Sequence, residues 1–321
     1  MIFEKKIVEM YRKMMFNRCD DNGVAYYFSS DDFEGLHKVP FAFKSQMGHT
    51  LQGYFYAYDN PIKDRVVVFE HGMGGGHRSY MREIETIAKK GYLVFAYDHT
   101  GCMESGGENT NGFAQSLNDL DCCLKALKAD DQIGKMAISV IGHSWGAFST
   151  MNIAAYHPDV KHIVAMSGFV SVERMVKQNF SGLLKPYAKV IFDLEKRSNP
   201  KYAIMDAVET LAGRDVKALI IHSDDDPLVK TAQHFEVMQN ELKARKNTTF
   251  WLMNGKFHNP NYTEKSVVYK DAYVATLNEK IKKKELETEA QKKAFVDAYD
   301  WWAMTEQDMD VWNRIFEFIE K

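Results

Sequence analysis

Six short apolar runs recur along the middle of the chain and constrain its fold more than any other feature. They are VVVFEH (66–71), YLVFAYD (92–98), MAISVIG (136–142), HIVAMSG (162–168), ALIIHS (218–223) and TTFWLMN (248–254). Helical spacing fills most of the gaps between them, near 78–89, 113–129, 145–156 and 231–244. A strand that is apolar at successive positions has to be covered on both faces, and alternation with helices supplies that cover. The pattern predicts an α/β protein with a mostly parallel central sheet and helices on both faces. Chemistry in such a sheet collects in the loops at the carboxyl ends of the strands. Upstream, VPFAFKSQMGHTLQGYFYAYD reads as two further extended runs around a turn at Met47-Gly48-His49.

Two segments break the rhythm. Residues 169–213 are too long for a strand connection and carry helical apolar spacing, with Val172, Met175 and Val176 on one face. Tyr187, Val190, Ile191 and Leu194 form another face, with Pro186 placed to open that helix. This segment is expected to be a small helical cap. Residues 261–303 are mostly charged helix, followed by a final amphipathic helix bearing Trp312, Ile315, Phe316 and Ile319 behind an N-cap at Thr305. The expected organisation is a core of residues 1–168 and 214–321, opened by a lead-in helix at 1–20 and interrupted by the 261–303 insertion.

Composition narrows the function classes. Of 321 residues 45% are hydrophobic, enough for a sizeable core, and the net charge of −3 gives no global field for nucleic acid or an anionic membrane. No run approaches a membrane span, and charges run through MIFEKKIVEMYRKMMF, so neither stable insertion nor a signal peptide is expected and the cytoplasm is the expected location. Cys19, Cys102, Cys122 and Cys123 form no C-x-x-C pair and suit neither a disulfide framework nor a zinc site.

The strand ends carry the chemistry. The first apolar run leads into His71-Gly72-Met73-Gly74-Gly75-Gly76, which does not fit the G-x-G-x-x-G of a dinucleotide cradle. Its glycines leave backbone amides free to face a cleft, and the Met73 amide is the natural oxyanion donor. The third run leads into GHSWG, where Gly142 and Gly146 frame Ser144 on a tight strand-to-helix turn and the Trp145 amide would be a second donor. A serine hydroxyl is a weak nucleophile and needs a base. The fifth run ends in Asp224-Asp225-Asp226, and the sixth leads to His258, the histidine that follows the last strand. Serine, aspartate and histidine at successive strand ends fit one of the known triad orders. His71 and His143 read as motif neighbours that pack locally, and His49, His77, His157 and His234 as surface or turn residues.

Together HGMGGG (71–76), YDHTGCMESGG (97–107), GHSWGA (142–147), HSDDDPLV (222–229) and His258 make the chain resemble an α/β-hydrolase over about residues 40–260. Within that fold it is similar to the monoacylglycerol lipase, lysophospholipase and serine aminopeptidase group, since D-H-x-G followed by S-x-G is typical of the monoglyceride-lipase branch. The acid in such sites tends to follow H-G-x-x-D, and laying that on His222 to Pro227 points to Asp226. The departures are Met103, where a glycine is common, and Ala147, where a second glycine is frequent.

The resemblance implies an acyl-enzyme route with Ser144 as nucleophile, His258 as base and Asp226 orienting it, without metal or organic cofactor. The implied substrate is a small-molecule ester with an apolar acyl or aryl group, held near His71, Gly72, His143 and the cap residues Phe169, Phe180, Leu183 and Leu184. Lys177, Lys185 and Lys189 permit peripheral contact between the cap and a membrane surface. Two other readings stay open. The same triad cleaves amides in an aminopeptidase-like enzyme, which needs an acidic anchor such as Glu173, Asp193 or Glu195 for a free amine. A hydrolase fold kept for binding would recruit partners through residues 279–293, whose six lysines and four glutamates read as a solvated helix.

Overall fold

All six apolar runs become neighbouring strands of one eight-stranded sheet in the computed structural model, which describes residues 2–321. The first residue of the expected lead-in helix lies outside the described residues. The strands are β1 (His37–Lys44), β2 (Thr50–Ala57), β3 (Arg65–Glu70), β4 (Leu93–Tyr97), β5 (Ala137–His143), β6 (His162–Met166), β7 (Lys217–Ser223) and β8 (Thr248–Met253). Their spatial order is β1-β2-β4-β3-β5-β6-β7-β8. The β1–β2 and β2–β4 pairs are antiparallel, and every other pair is parallel.

Side-chain alternation in β3 shows why the runs are apolar at successive positions. Val66 and Val68 enter the core on one face of the sheet, while Val67 and Phe69 enter the core on the other. Burying each such side chain contributes roughly 1.5–3 kcal/mol. The first face is covered by α3 (Gln115–Ala129), α4 (Trp145–Asn152) and α8 (Phe235–Glu241), and the second by α2 (Met81–Lys89) and α12 (Met309–Ile319). Trp312, Ile315, Phe316 and Ile319 are buried as their spacing requires, but the helix is capped by Asp308, whose carboxylate accepts from the Asp310 and Val311 amides. Thr305 instead ends the short α11 (Trp301–Met304), donating its hydroxyl to the Trp301 carbonyl. Among the described residues no helix is long and apolar enough to cross a membrane.

The 169–213 segment folds as α5 (Val172–Asn179), α6 (Ala188–Ser198) and α7 (Ala207–Ala212). It is joined to the lead-in helix α1 (Ile2–Met15) by Phe3 against Tyr187, Tyr11 against Phe180, and a 2.6 Å hydrogen bond from the Tyr11 hydroxyl to Glu195. The 261–303 insertion is α9 (Glu264–Lys282), α10 (Glu289–Asp297) and α11, with a small core of its own around Tyr273, Phe295 and Met304. Tyr273 ties it to the loop after α1 by donating to the Val24 carbonyl at 2.7 Å.

Glu195 is fully buried, and its second oxygen accepts the Phe113 amide at 2.9 Å. Burial outweighs these donors and pushes its carboxyl up to about 7. The folded protein therefore holds a proton that the unfolded chain has released above its ordinary carboxyl range. Stability from this group is greatest below about 4.5 and falls as pH rises toward about 7. Glu195→Gln keeps the shape without the charge, so its thermal midpoint is expected to exceed that of wild type at pH 8. The gap should shrink at pH 5; a gap independent of pH in thermal melts would contradict the assignment.

Candidate active site

Ser144 stands between β5 and α4 with φ 55° and ψ −113°, a backbone conformation that a side chain rarely adopts. The two flanking glycines are what permit the turn. A Cβ on Gly142 would collide with the Thr150 hydroxyl and the Gly146 backbone, and one on Gly146 would collide with the Glu70 carbonyl of β3. The start of α4 is thus pressed against the sheet, and the serine is thrust out at its edge. Ala147 is accommodated because its neighbour is Gly168, which brings no Cβ of its own.

His258 follows β8 and donates through Nδ1 to Asp226 Oδ2 at 2.8 Å. The other Asp226 oxygen accepts the amides of Leu228 and Val229, both at 2.9 Å. Burial opposes ionisation of Asp226, but His258 and the amide donor outweigh it and hold the carboxyl below its ordinary range. With Asp226 ionised, the Nδ1 of His258 carries the hydrogen and its Nε2 is free to accept one. The neighbouring acids hold the loop. Asp224 accepts the Gly255 amide at 3.1 Å, and Asp225 accepts the Phe257 amide at 2.9 Å.

His143 packs behind His258. Its Nε2 faces the His258 carbonyl at 2.7 Å and must donate, so Nδ1 accepts from the Tyr80 hydroxyl at 2.9 Å. Burial holds this imidazole well below its ordinary pKa, in the neutral form that this pair of bonds requires. His71 is likewise neutral, pushed down to about 3 chiefly by burial. It donates to the Gly72 carbonyl at 2.7 Å and accepts the His99 amide at 3.0 Å. Its role is to shape the 71–76 loop.

A cavity of about 590 Å³ opens over these groups, lined by Ser144, His258, Gly72, Met73, His143, Trp145 and Phe169. Neither the Met73 nor the Trp145 amide donates to a protein acceptor among the described residues, whereas the Trp145 indole donates to the Phe113 carbonyl. The lining departs from expectation in the 169–213 segment. Met175 and Asn179 of α5 reach the cavity, together with Phe169. Phe180 is buried against Tyr11, Leu184 packs on the core, and Leu183 is 97% exposed. His71 lies beneath the lining and not in it.

Sequence reasoning missed two walls. Met15 of α1 closes one side, and Val267, Lys270, Asp271 and Val274 of α9 close another. The α9 residues fall at i, i+3, i+4 and i+7, a single helical stripe that was present in the charged insertion but polar at its centre. Three histidines expected at the surface are buried because each answers an acid or an amide. His77 bonds Asp98 at 2.8 Å, His157 bonds Asp121 at 2.9 Å, and His234 accepts the Val170 amide at 3.2 Å. Met103 adopts φ 42°, the left-handed conformation that favours glycine. Here Arg18 and Cys19 hold it by bonding its carbonyl and amide.

Residues 61–210 match the family model described as serine aminopeptidase, S33. An esterase of Pyrococcus furiosus superposes with TM-score 0.60 and 21% identity, covering 84% of this chain and 98% of its own. The chain has the α/β-hydrolase fold. Acetyl xylan esterase 1 from Thermoanaerobacterium shares this hydrolase fold with TM-score 0.56 and 15% identity over 80% of this chain and 88% of its own. By sequence the chain is similar to the uncharacterized protein YqkD of Bacillus subtilis (strain 168), 23% identical over 80% of this chain and 83% of the relative. It is also similar to a proline iminopeptidase of Saccharolobus solfataricus, 24% identical over 63% of each chain.

Proposed function

We propose that the protein is a serine hydrolase that cleaves carboxylic esters through an acyl-enzyme. The observation that carries this reading is the Asp226–His258 hydrogen bond beside Ser144, in one cavity with two unclaimed backbone amides. Ser144 Oγ attacks the acyl carbonyl while His258 Nε2 takes its proton. Asp226 steadies the resulting imidazolium, and the Met73 and Trp145 amides hold the oxyanion, each worth on the order of 3 kcal/mol. His258 then gives the proton to the departing alkoxide. Water, deprotonated by the same nitrogen, releases the acid and restores the serine. The 169–213 segment acts as the cap, with α5 forming the wall against the acyl group.

Ester cleavage is favoured over aminopeptidase action by the fate of the three candidate anchors for a free amine. Glu173 is paired with Lys177 at 2.6 Å, Asp193 with Lys189 at 2.7 Å, and Glu195 is buried against Tyr11. None of them lines the cavity. A panel of p-nitrophenyl esters of increasing chain length, run beside aminoacyl-p-nitroanilides, tests the reading. Turnover of the esters with little or none of the anilides is expected; turnover confined to the anilides would replace it with the peptidase.

A further inference from the structure

The lining of the cavity is mainly apolar, with Phe113, Phe169, Met175 and Val267 around Ser144, yet α9 places an ammonium in it. Lys270 is half-buried and lies 4.8 Å from the centre of the Tyr262 ring. Among the described residues its Nζ has no hydrogen-bond acceptor and no carboxylate partner, whereas Lys280 of the same helix pairs with Glu285. The carboxyl that acts on it electrostatically is Glu83. That group is buried, bonds Asn261 at 3.0 Å, is held above the ordinary carboxyl range by burial, and forms no ion pair with Lys270.

A half-buried ammonium set in a mainly apolar wall, with no carboxylate paired to it, is a ready partner for an anionic group on a ligand. Burial lowers the Lys270 pKa. Asp271, the acid next to it in the lining, is exposed and so remains hydrated.

We propose that Lys270 is a specificity-determining residue that binds a carboxylate on the substrate, so that the preferred esters carry a free carboxylate on the acyl chain. The inference rests on the ester-hydrolase reading and names the substrate class for it. A single lysine in an apolar wall matches a monoanion; a dianionic phosphate would leave one charge buried and unmatched. Tyr262 adds a flat face beneath the ammonium, which keeps it in the cavity when no substrate is present.

The test compares three esters of similar length: mono-4-nitrophenyl glutarate, 4-nitrophenyl pentanoate and 4-nitrophenyl 5-aminopentanoate. Wild type should prefer the glutarate to the pentanoate by roughly tenfold or more in kcat/KM, with the amine poorest. Lys270→Met should remove that preference, mainly through KM, and Lys270→Arg should keep most of it. A glutarate-to-pentanoate ratio unchanged in Lys270→Met would overturn the inference. So would an equal loss on both esters, which would make Lys270 part of the general machinery.

Calorimetric binding of the glutarate ester to Ser144→Ala, with and without Lys270→Met, gives a reading that does not need turnover. Tighter binding of the glutarate than of the pentanoate, lost on adding Lys270→Met, would uphold the carboxylate site even if no ester were cleaved. Ester cleavage with equal binding of both would uphold the function and remove the site.

Discussion

Ser144→Ala is expected to retain no more than about one ten-thousandth of wild-type ester hydrolysis, and to lose labelling by a fluorophosphonate probe altogether. The loss should fall in kcat, because the oxyanion amides and cavity walls remain to bind substrate. The fold should survive. Ser144 already sits at φ 55° and ψ −113°, so alanine inherits the same strained backbone and should melt close to wild type. Ser144→Gly separates strain from chemistry. Glycine reaches this conformation without the Cβ penalty, and the stored strain is of the order of 1–3 kcal/mol. The glycine variant should therefore be as inactive as alanine and more stable than either. Activity surviving in both variants, or probe labelling unaffected by them, would remove Ser144 from the mechanism.

The central strands were legible in the sequence because they are buried on both faces, and such strands are apolar at most positions. Val66 to Phe69 read as a strand for the same reason that they pack into two cores. The turn at Ser144 was legible because only glycine fits at 142 and 146, which leaves a short and rigid spacing. Walls of the cavity were not legible, and the reason differs for each. Met15 belongs to a helix whose partner lies across the chain in α6, so nothing local indicates which face looks inward. Lys270 and Asp271 interrupt the α9 stripe with charges, and a charged stripe reads as a solvated face unless the packing is known. Phe180, Leu183 and Leu184 illustrate the opposite error. Apolar character placed them in the 169–213 segment correctly, but not on the side of it that faces Ser144.

Asp226→Asn is expected to lower kcat by about 10³–10⁴-fold while leaving the thermal midpoint nearly unchanged. The geometry dictates which way the new amide turns. One oxygen of Asp226 is held by two backbone donors, Leu228 and Val229, each at 2.9 Å. An asparagine must keep its single carbonyl oxygen there, so its NH₂ is left facing His258 Nδ1. That nitrogen is then forced to accept, and the ring hydrogen moves to Nε2, where it blocks transfer from Ser144. Asp226→Ala makes the contrast. It leaves His258 free to choose either tautomer, but strands two amide donors at a cost of about 1–3 kcal/mol each. Alanine should therefore be the less stable variant, and asparagine the one whose defect is purely one of proton placement. Steady-state kinetics beside thermal melts on the two variants would show this crossing. Near-normal turnover by Asp226→Asn would transfer the orienting role to Asp225, whose carboxylate already bonds the Phe257 amide one residue before the base.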